Sequence, residues 1–131
     1  MSIPYLATLV LEAVLALFTA FAAYAQATRM PAVVKSRERL RYPQWYWTLS
    51  NLLAVIGAIG LLVGLFIPVV AAAAILWMVA FFFVAALTHL SRGDVQGAVP
   101  GLVFLLISGG LLALRWADTT PLLALVGLGL K

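Results

Sequence analysis

The sequence contains no cysteine, one histidine and few charged residues. Charged residues make up 9% of its 131 positions and hydrophobic residues 66%, against roughly a quarter and a half in soluble domains. The absence of cysteine excludes disulfides, thiolate metal sites, iron–sulfur clusters and thiol–disulfide redox chemistry. One histidine cannot supply a histidine-only metal site or a bis-histidine haem within one subunit. This length and apolarity predict a single domain embedded in a membrane.

Four apolar segments are long enough to cross a bilayer, because about 20 apolar residues in a helix span its core. They cover approximately residues 3–25, 46–69, 70–90 and 98–117. We therefore expect an all-α fold, an integral membrane four-helix bundle with antiparallel up-down spans, in one domain of residues 1–131. Pro68, between the second and third spans, is either the first-turn proline of a new helix or the break itself. The apolar tail 118–131 is too short to cross, and we expect an interfacial segment or a subunit contact.

The basic residues predict an orientation. Two of the eight, Arg115 and Lys131, lie on one side of the expected bundle, and six lie on the other: Arg29, Lys35, Arg37, Arg39, Arg41 and Arg92. Because Lys and Arg concentrate in cytoplasmic loops, we expect the basic loop 26–45 in the cytoplasm and both termini on the non-cytoplasmic side. The bacterial cytoplasmic membrane is the expected location. Aromatic residues then fall at the cytoplasmic interface: Tyr42, Trp45, Tyr46 and Trp47.

The basic loop is longer than neighbouring antiparallel helices need. Pro31 suits the start of a short helix along the membrane surface, although an ordinary topogenic loop fits the same residues. Either form is long enough to cover the cytoplasmic mouth of the bundle. The placement of the charge between apolar segments favours a lipid surface over nucleic acid. The residues expected to meet anionic lipid are Lys35, Arg37, Arg39 and Arg41.

Polar residues within the first span mark a candidate site, because burying them in hydrocarbon is costly. Their spacing places them on one helix face, which we expect to face inward: Tyr5, Thr8, Glu12, Thr19 and Gln26. Glu12 lies about 13 Å along the helix from Ile3, so it should be protonated or paired. Arg115 is the expected cationic partner. Glu12 is either a structural acid or an acid/base or proton-relay group.

The other spans carry further candidates. Asn51 and His89 join Glu12 as candidate catalytic residues, and Asn51 lies at the depth of Thr19, to which it could hydrogen-bond. Aromatic residues at helical spacing could line a pocket for a quinone, a terpenoid or a lipid tail, although such spacing is more often packing. With the polar candidates they form the expected substrate-binding set: Tyr5, Thr8, Trp77, Phe81, Phe104, Ser108 and Arg115. No metal site and no cofactor is evident, and a quinone or a lipid is the ligand such a pocket would take.

The stretch from Tyr42 to Asp94 resembles the DoxX-like family of small four-helix membrane proteins. The resemblance rests on Tyr42-Pro43, on Gly57-Ala58-Ile59-Gly60-Leu61, and most distinctively on Thr88-His89-Leu90-Ser91-Arg92-Gly93-Asp94. Where the family often has a glutamate three residues before the first of these glycines, this chain has Ala54. The resemblance implies a membrane subunit linked to sulfur or quinone redox systems or to redox-stress complexes. Related four-helix proteins act as chaperones or cargo receptors.

Three functions therefore stay open. The first is a non-enzymatic membrane subunit or partner-binding module in a redox or stress-related complex, and we expect a homo-oligomer or such an assembly. The second is a membrane enzyme acting on a quinone, terpenoid or epoxide, with Glu12 as acid/base. The third is a proton-coupled carrier whose path Glu12 and His89 would bracket.

Overall fold

The computed structural model describes residues 3–115, which form five α-helices and no strands. Four of them are long and apolar enough to cross a membrane, whereas the second helix is short and polar. The prediction of an all-α fold with four spanning helices is confirmed, and the expected interfacial tail 118–131 lies outside the described residues. The helices are α1 (Ile3–Ala27), α2 (Pro31–Leu40), α3 (Gln44–Gly64), α4 (Pro68–Ser91) and α5 (Val95–Leu114).

The spanning helices pack in a ring, with α1 on α3, α3 on α4, α4 on α5, and α5 back on α1. Large apolar side chains also cover their outer faces, as expected for helices whose solvent is lipid. The interior is filled by aliphatic side chains, alanines and one phenylalanine: Leu15, Ala16, Leu61, Ala74, Ile75, Met78, Phe82 and Leu111.

The polar face predicted for α1 is largely buried. Thr8, Glu12 and Thr19 are all at most 5% exposed. Tyr5 is the exception, because the residue is 43% exposed. Tyr5 lies in the first turn of α1, two turns before Glu12.

The turn between α3 and α4 comes earlier than expected. Helix α3 ends at Gly64, five residues before the expected end of the span at 69, because Leu65 and Phe66 form a turn ahead of Pro68. Pro68 occupies the first turn of α4, where its missing N–H costs no helical hydrogen bond. Of the two roles open to it, Pro68 therefore has that of the first-turn proline.

The basic loop contains a helix, α2, rather than an irregular topogenic loop. It begins at Pro31, buries its last residue, Leu40, completely, and is capped by Arg41, whose φ of 59° is left-handed. Its basic side chains reach back to the bundle, since Arg37 Nη2 lies 3.4 Å from the carbonyl oxygen of Gln26. We call this part of the molecule, with the adjoining ends of the spanning helices, the α2 end.

Small residues let α3 and α4 approach closely. Gly60 faces Ala74, and an added Cβ on Gly64 would lie only 2.5 Å from the Cα of Ala71. Backbone this close can be accommodated only where one helix lacks a side chain. The glycines of α3 therefore act in packing.

We predict that Gly64→Ala destabilises the protein by about 1–3 kcal/mol, because the new methyl group would overlap the backbone of α4. Gly110→Ala is the matched control, since no described residue lies within 4 Å of its added Cβ and alanine favours a helix. Thermal unfolding in detergent, followed by circular dichroism, measures both. Equal melting temperatures for the two variants would contradict the close approach at Gly64.

Candidate functional site

Glu12 and Arg115 form a buried ion pair between α1 and the end of α5. The Nε of Arg115 donates to Oε1 of Glu12 over 2.8 Å, and the two side chains are 4% and 0% exposed. The pairing predicted for Glu12 is therefore present. Together the two opposite charges make one neutral unit, which costs far less in an apolar interior than either charge alone.

Two other predicted residues lie on the same helix faces as this pair. Thr8 is one turn before Glu12, and Ser108 is two turns before Arg115; both are buried. The hydroxyl of Ser108 donates to the carbonyl oxygen of Phe104 over 2.7 Å. This hydroxyl group therefore donates its proton to a hydrogen bond within α5 and not to another helix.

The predicted aromatic pocket is found in part. Trp77 and Phe81 line an apolar groove of about 300 Å³ between α3 and α4. The indole Nε1 of Trp77 donates to the carbonyl oxygen of Leu53 over 2.9 Å, which holds the ring across the groove. Phe104 does not line it. Its ring stacks on Phe18 at 3.9 Å between centroids, because α5 packs on α1 and on α4 away from the groove.

Asn51 lies in a different groove, of about 310 Å³, between α1 and α3. The expected hydrogen bond between Asn51 and Thr19 is not formed, and the Thr19 hydroxyl donates instead to the carbonyl oxygen of Leu15 over 2.7 Å. The Oδ1 atom of Asn51 is buried and has no hydrogen-bond partner among residues 3–115.

His89 belongs to a cluster that the sequence analysis missed. Its Nδ1 lies 2.8 Å from Oδ2 of Asp94. The same oxygen forms an ion pair with Nη2 of Arg39 at 3.3 Å. The other carboxylate oxygen caps α5 by accepting from the backbone N–H of Gly97 over 3.1 Å. A Cβ on Gly97 would collide with the side chains of both His89 and Asp94. The spacing of His89, Asp94 and Gly97 in the sequence is the signal from which this cluster could have been predicted.

The electrostatics of Asp94 follow from these contacts. The hydrogen bond from His89 lowers the pKa of Asp94 below its ordinary value, against the opposing effect of desolvation. The backbone N–H of Gly97 and the positive charge of Arg39 lower it further. One carboxylate therefore joins α2, α4 and α5.

Aromatic residues at the start of α3 contact the end of α4. The hydroxyl of Tyr42 lies 2.9 Å from Oγ of Ser91, and the guanidinium of Arg92 lies over the Tyr42 ring at 4.5 Å. The hydroxyls of Tyr46 and Thr88 share a hydrogen bond. Together with the Asp94 cluster, these contacts give a structural role to the polar residues from Thr88 to Asp94.

The three candidate catalytic residues are not brought together. Glu12 bonds Arg115 at one end of α5, whereas His89 packs beside Gly97 at the other, about 27 Å away along the helix axis at about 1.5 Å per residue. Asn51 lies in the α1/α3 groove, away from both pairs. Within the described part of the chain, no group of three or more His, Cys, Asp or Glu residues could hold a metal ion.

The lowered pKa of Asp94 predicts how the folding stability of the protein changes in acid. A carboxyl group whose folded pKa is lowered contributes stability above its unfolded pKa of about 3.9, and that contribution is lost as the pH falls through the folded value. We expect wild type to be more stable than Asp94→Asn at neutral pH and the two melting temperatures to converge below pH about 4. Asparagine keeps the helix cap, so the difference isolates the contacts with His89 and Arg39.

Glu38→Gln is the control, because Glu38 is an exposed carboxylate with no ion pair among the described residues. Its melting curve should run parallel to that of wild type across the same pH range. A constant difference between wild type and Asp94→Asn from pH 7 to pH 3 would contradict the prediction.

The model of the DoxX-like family matches residues 10–111, from the first turns of α1 to the last turn of α5. Neither the curated proteins nor the solved structures yield a match to this chain. The family match covers well over half of the sequence and all five helices. With its four membrane-spanning helices, the protein belongs to the DoxX-like family.

Proposed function

We propose that this protein is a membrane subunit or partner-binding module of a redox- or stress-related membrane complex, and that it is not itself an enzyme. The observation that carries the proposal is the Glu12–Arg115 ion pair. A general acid/base must exchange a proton with substrate, whereas this carboxylate is fully buried and bonded to the guanidinium of Arg115. The redox or stress context comes from the family resemblance.

The orientation inferred from the basic residues belongs to the same proposal. Contacts between α3 and α4 run from Gly64 and Ala71 near one end to Tyr46 and Thr88 near the other, which supports antiparallel spans. Five basic residues lie between α1 and α3, and Arg92 follows α4. We propose that this end faces the cytoplasm of a bacterial cell and that both termini lie outside.

The outer surface supports a partner-binding role. Exposed leucines and valines lie along every spanning helix, and α5 is the least buried of the four. Gly109 and Gly110 leave space on α5 that no other residue of the described chain fills. Small residues on an outward face allow a second transmembrane helix to approach closely, from a partner subunit or another copy of the chain.

A second candidate function is binding of an apolar small molecule such as a quinone in the groove beside Trp77 and Phe81. Its volume of about 300 Å³ is at the lower end of the range for small-molecule sites. The groove is lined by α3 and α4 alone, whereas Glu12 lies between α1 and α5. An enzyme using Glu12 on a substrate in this groove therefore has less support than a binding role.

The carrier hypothesis has the least support. Glu12 pairs with Arg115 and His89 contacts Asp94, so each residue at the ends of the supposed path is already engaged in a structural contact. A proton path would need to pass the apolar core that separates them.

A double-mutant cycle on the ion pair tests the proposed function. Glu12→Gln leaves a buried guanidinium facing a neutral amide, so we expect a loss of about 3–5 kcal/mol in folding stability. Adding Arg115→Met removes that charge, and the double variant should recover most of the stability because a buried ion pair can be replaced at little cost. Thermal unfolding in detergent measures the cycle.

The double variant then separates the functions. We expect native mass spectrometry of protein purified gently from its own membranes to find the same partner polypeptide or homo-oligomer for wild type and for the double variant. If the double variant folds but loses a small apolar molecule that wild type retains, the subunit proposal is wrong and Glu12 serves a ligand site.

A further inference from the structure

Three buried polar atoms at the α2 end lack a hydrogen-bond partner in the described part of the chain. They are Gln26 Oε1 at the end of α1, Arg37 Nε on α2 and Asn51 Oδ1 on α3. Arg37 Nη2 approaches the carbonyl oxygen of Gln26, and the Arg37 guanidinium lies 5.7 Å from the ring of Trp47, one turn before Asn51. One donor and two acceptors on three elements thus lie in one region without partners, which is costly unless a ligand or water supplies them.

The charge in this region is unbalanced. The carboxylates that form ion pairs in residues 3–115 are Glu12, with Arg115, and Asp94, with His89 and Arg39. Arg37 has none. Burial, together with the nearby charge of Arg29, lowers the pKa of Arg37. An anion beside this guanidinium would relieve both effects.

An apolar groove leads away from the same region. It lies between α1 and α3, has a volume of about 310 Å³ and begins at Ala27 and Asn51. From Asn51 to Leu62 the α3 wall extends about 16 Å along the helix at about 1.5 Å per residue. Apart from Asn51 and the hydroxyl of Tyr24, its walls carry only apolar side chains.

We propose that this region binds one anionic phospholipid of the surrounding bilayer. The lipid phosphate accepts a hydrogen bond from Arg37 Nε, and hydroxyl groups of the headgroup donate to Gln26 Oε1 and Asn51 Oδ1. One acyl chain lies in the α1/α3 groove. A free phosphate ion would satisfy the guanidinium but leave the groove without a function.

This site differs from attraction of lipid to the basic loop as a whole. The charge of Arg39 is paired with Asp94, and Arg92 is an exposed residue that follows α4. Lys35 and Arg41 are exposed at the surface. The structure thus assigns to Arg37 a role that its sequence neighbours do not share.

Lipid titration followed by native mass spectrometry of the full chain tests the proposal. The probes are phosphatidylglycerol, phosphatidylcholine and inorganic phosphate, each added to delipidated protein in detergent. We expect one phosphatidylglycerol to bind per protomer in preference to phosphatidylcholine. Arg37→Gln should weaken this binding at least about fivefold, the scale of one basic residue at an anionic lipid surface. Lys35→Gln is the matched control and should change it less than twofold.

A second pair of variants tests the groove. Ala20→Phe fills the groove from an exposed position on its wall, and Ala73→Phe places the same ring on an exposed face of α4 outside it. We expect only Ala20→Phe to weaken phosphatidylglycerol binding. Circular dichroism melting of each variant establishes that it folds.

Three outcomes would overturn the proposal. Equal losses with Arg37→Gln and Lys35→Gln would show attraction by surface charge rather than a site. Unchanged binding in Ala20→Phe would remove the acyl chain from the groove. Displacement of the lipid by millimolar phosphate would identify a free anion as the ligand. None of these outcomes bears on the Glu12–Arg115 cycle, so this proposal and the proposed function can fail separately.

Discussion

The buried ion pair between Glu12 and Arg115 is the interaction on which the closure of the helix ring depends. In water, the hydrophobic effect would bring four apolar helices together, but between helices surrounded by lipid that driving force is absent. The interface between α1 and α5 is the smallest of the four in the ring. One charge-assisted hydrogen bond there sets the register of α1 against α5, because sliding either helix by one turn would leave two charges in hydrocarbon.

The opposite end of the bundle is organised by a different principle. There a single carboxylate, Asp94, takes three donors from three elements. It caps one helix, orients the imidazole at the end of another and holds the surface helix above them. A residue that makes three such contacts tolerates few substitutions. Asparagine would keep the helix cap but lose the charge, and glutamate would keep the charge but has a longer side chain. The polar ends are thus specified residue by residue, whereas the core depends on size and apolarity.

The sequence predicted the parts of this structure that depend on composition and helical spacing. Span length, the buried face containing Glu12 and the choice of Arg115 as its partner all follow from the cost of polar groups in hydrocarbon. The contact of Asp94 with His89 was missed because the two come together only when the chain turns at Gly93, whose φ is +72°, whereas the capping of Gly97 three residues on is a local signal. Phe104 was assigned to the wrong side because helical spacing defines a face but not the neighbour that the face meets. Thr19 similarly bonded within its own helix, an option that serine and threonine always have.

The turn at Pro68 has a consequence for how the protein enters the membrane. Between Arg41 and Arg92 the chain carries no aspartate, glutamate, lysine or arginine, and three residues, Leu65, Phe66 and Ile67, connect the two helices. The end of this hairpin can therefore cross the bilayer without carrying a charged side chain through hydrocarbon. Both helices can enter as a single unit once their glycine and alanine faces have met, and the basic residues at the two ends of the stretch halt it at the surface.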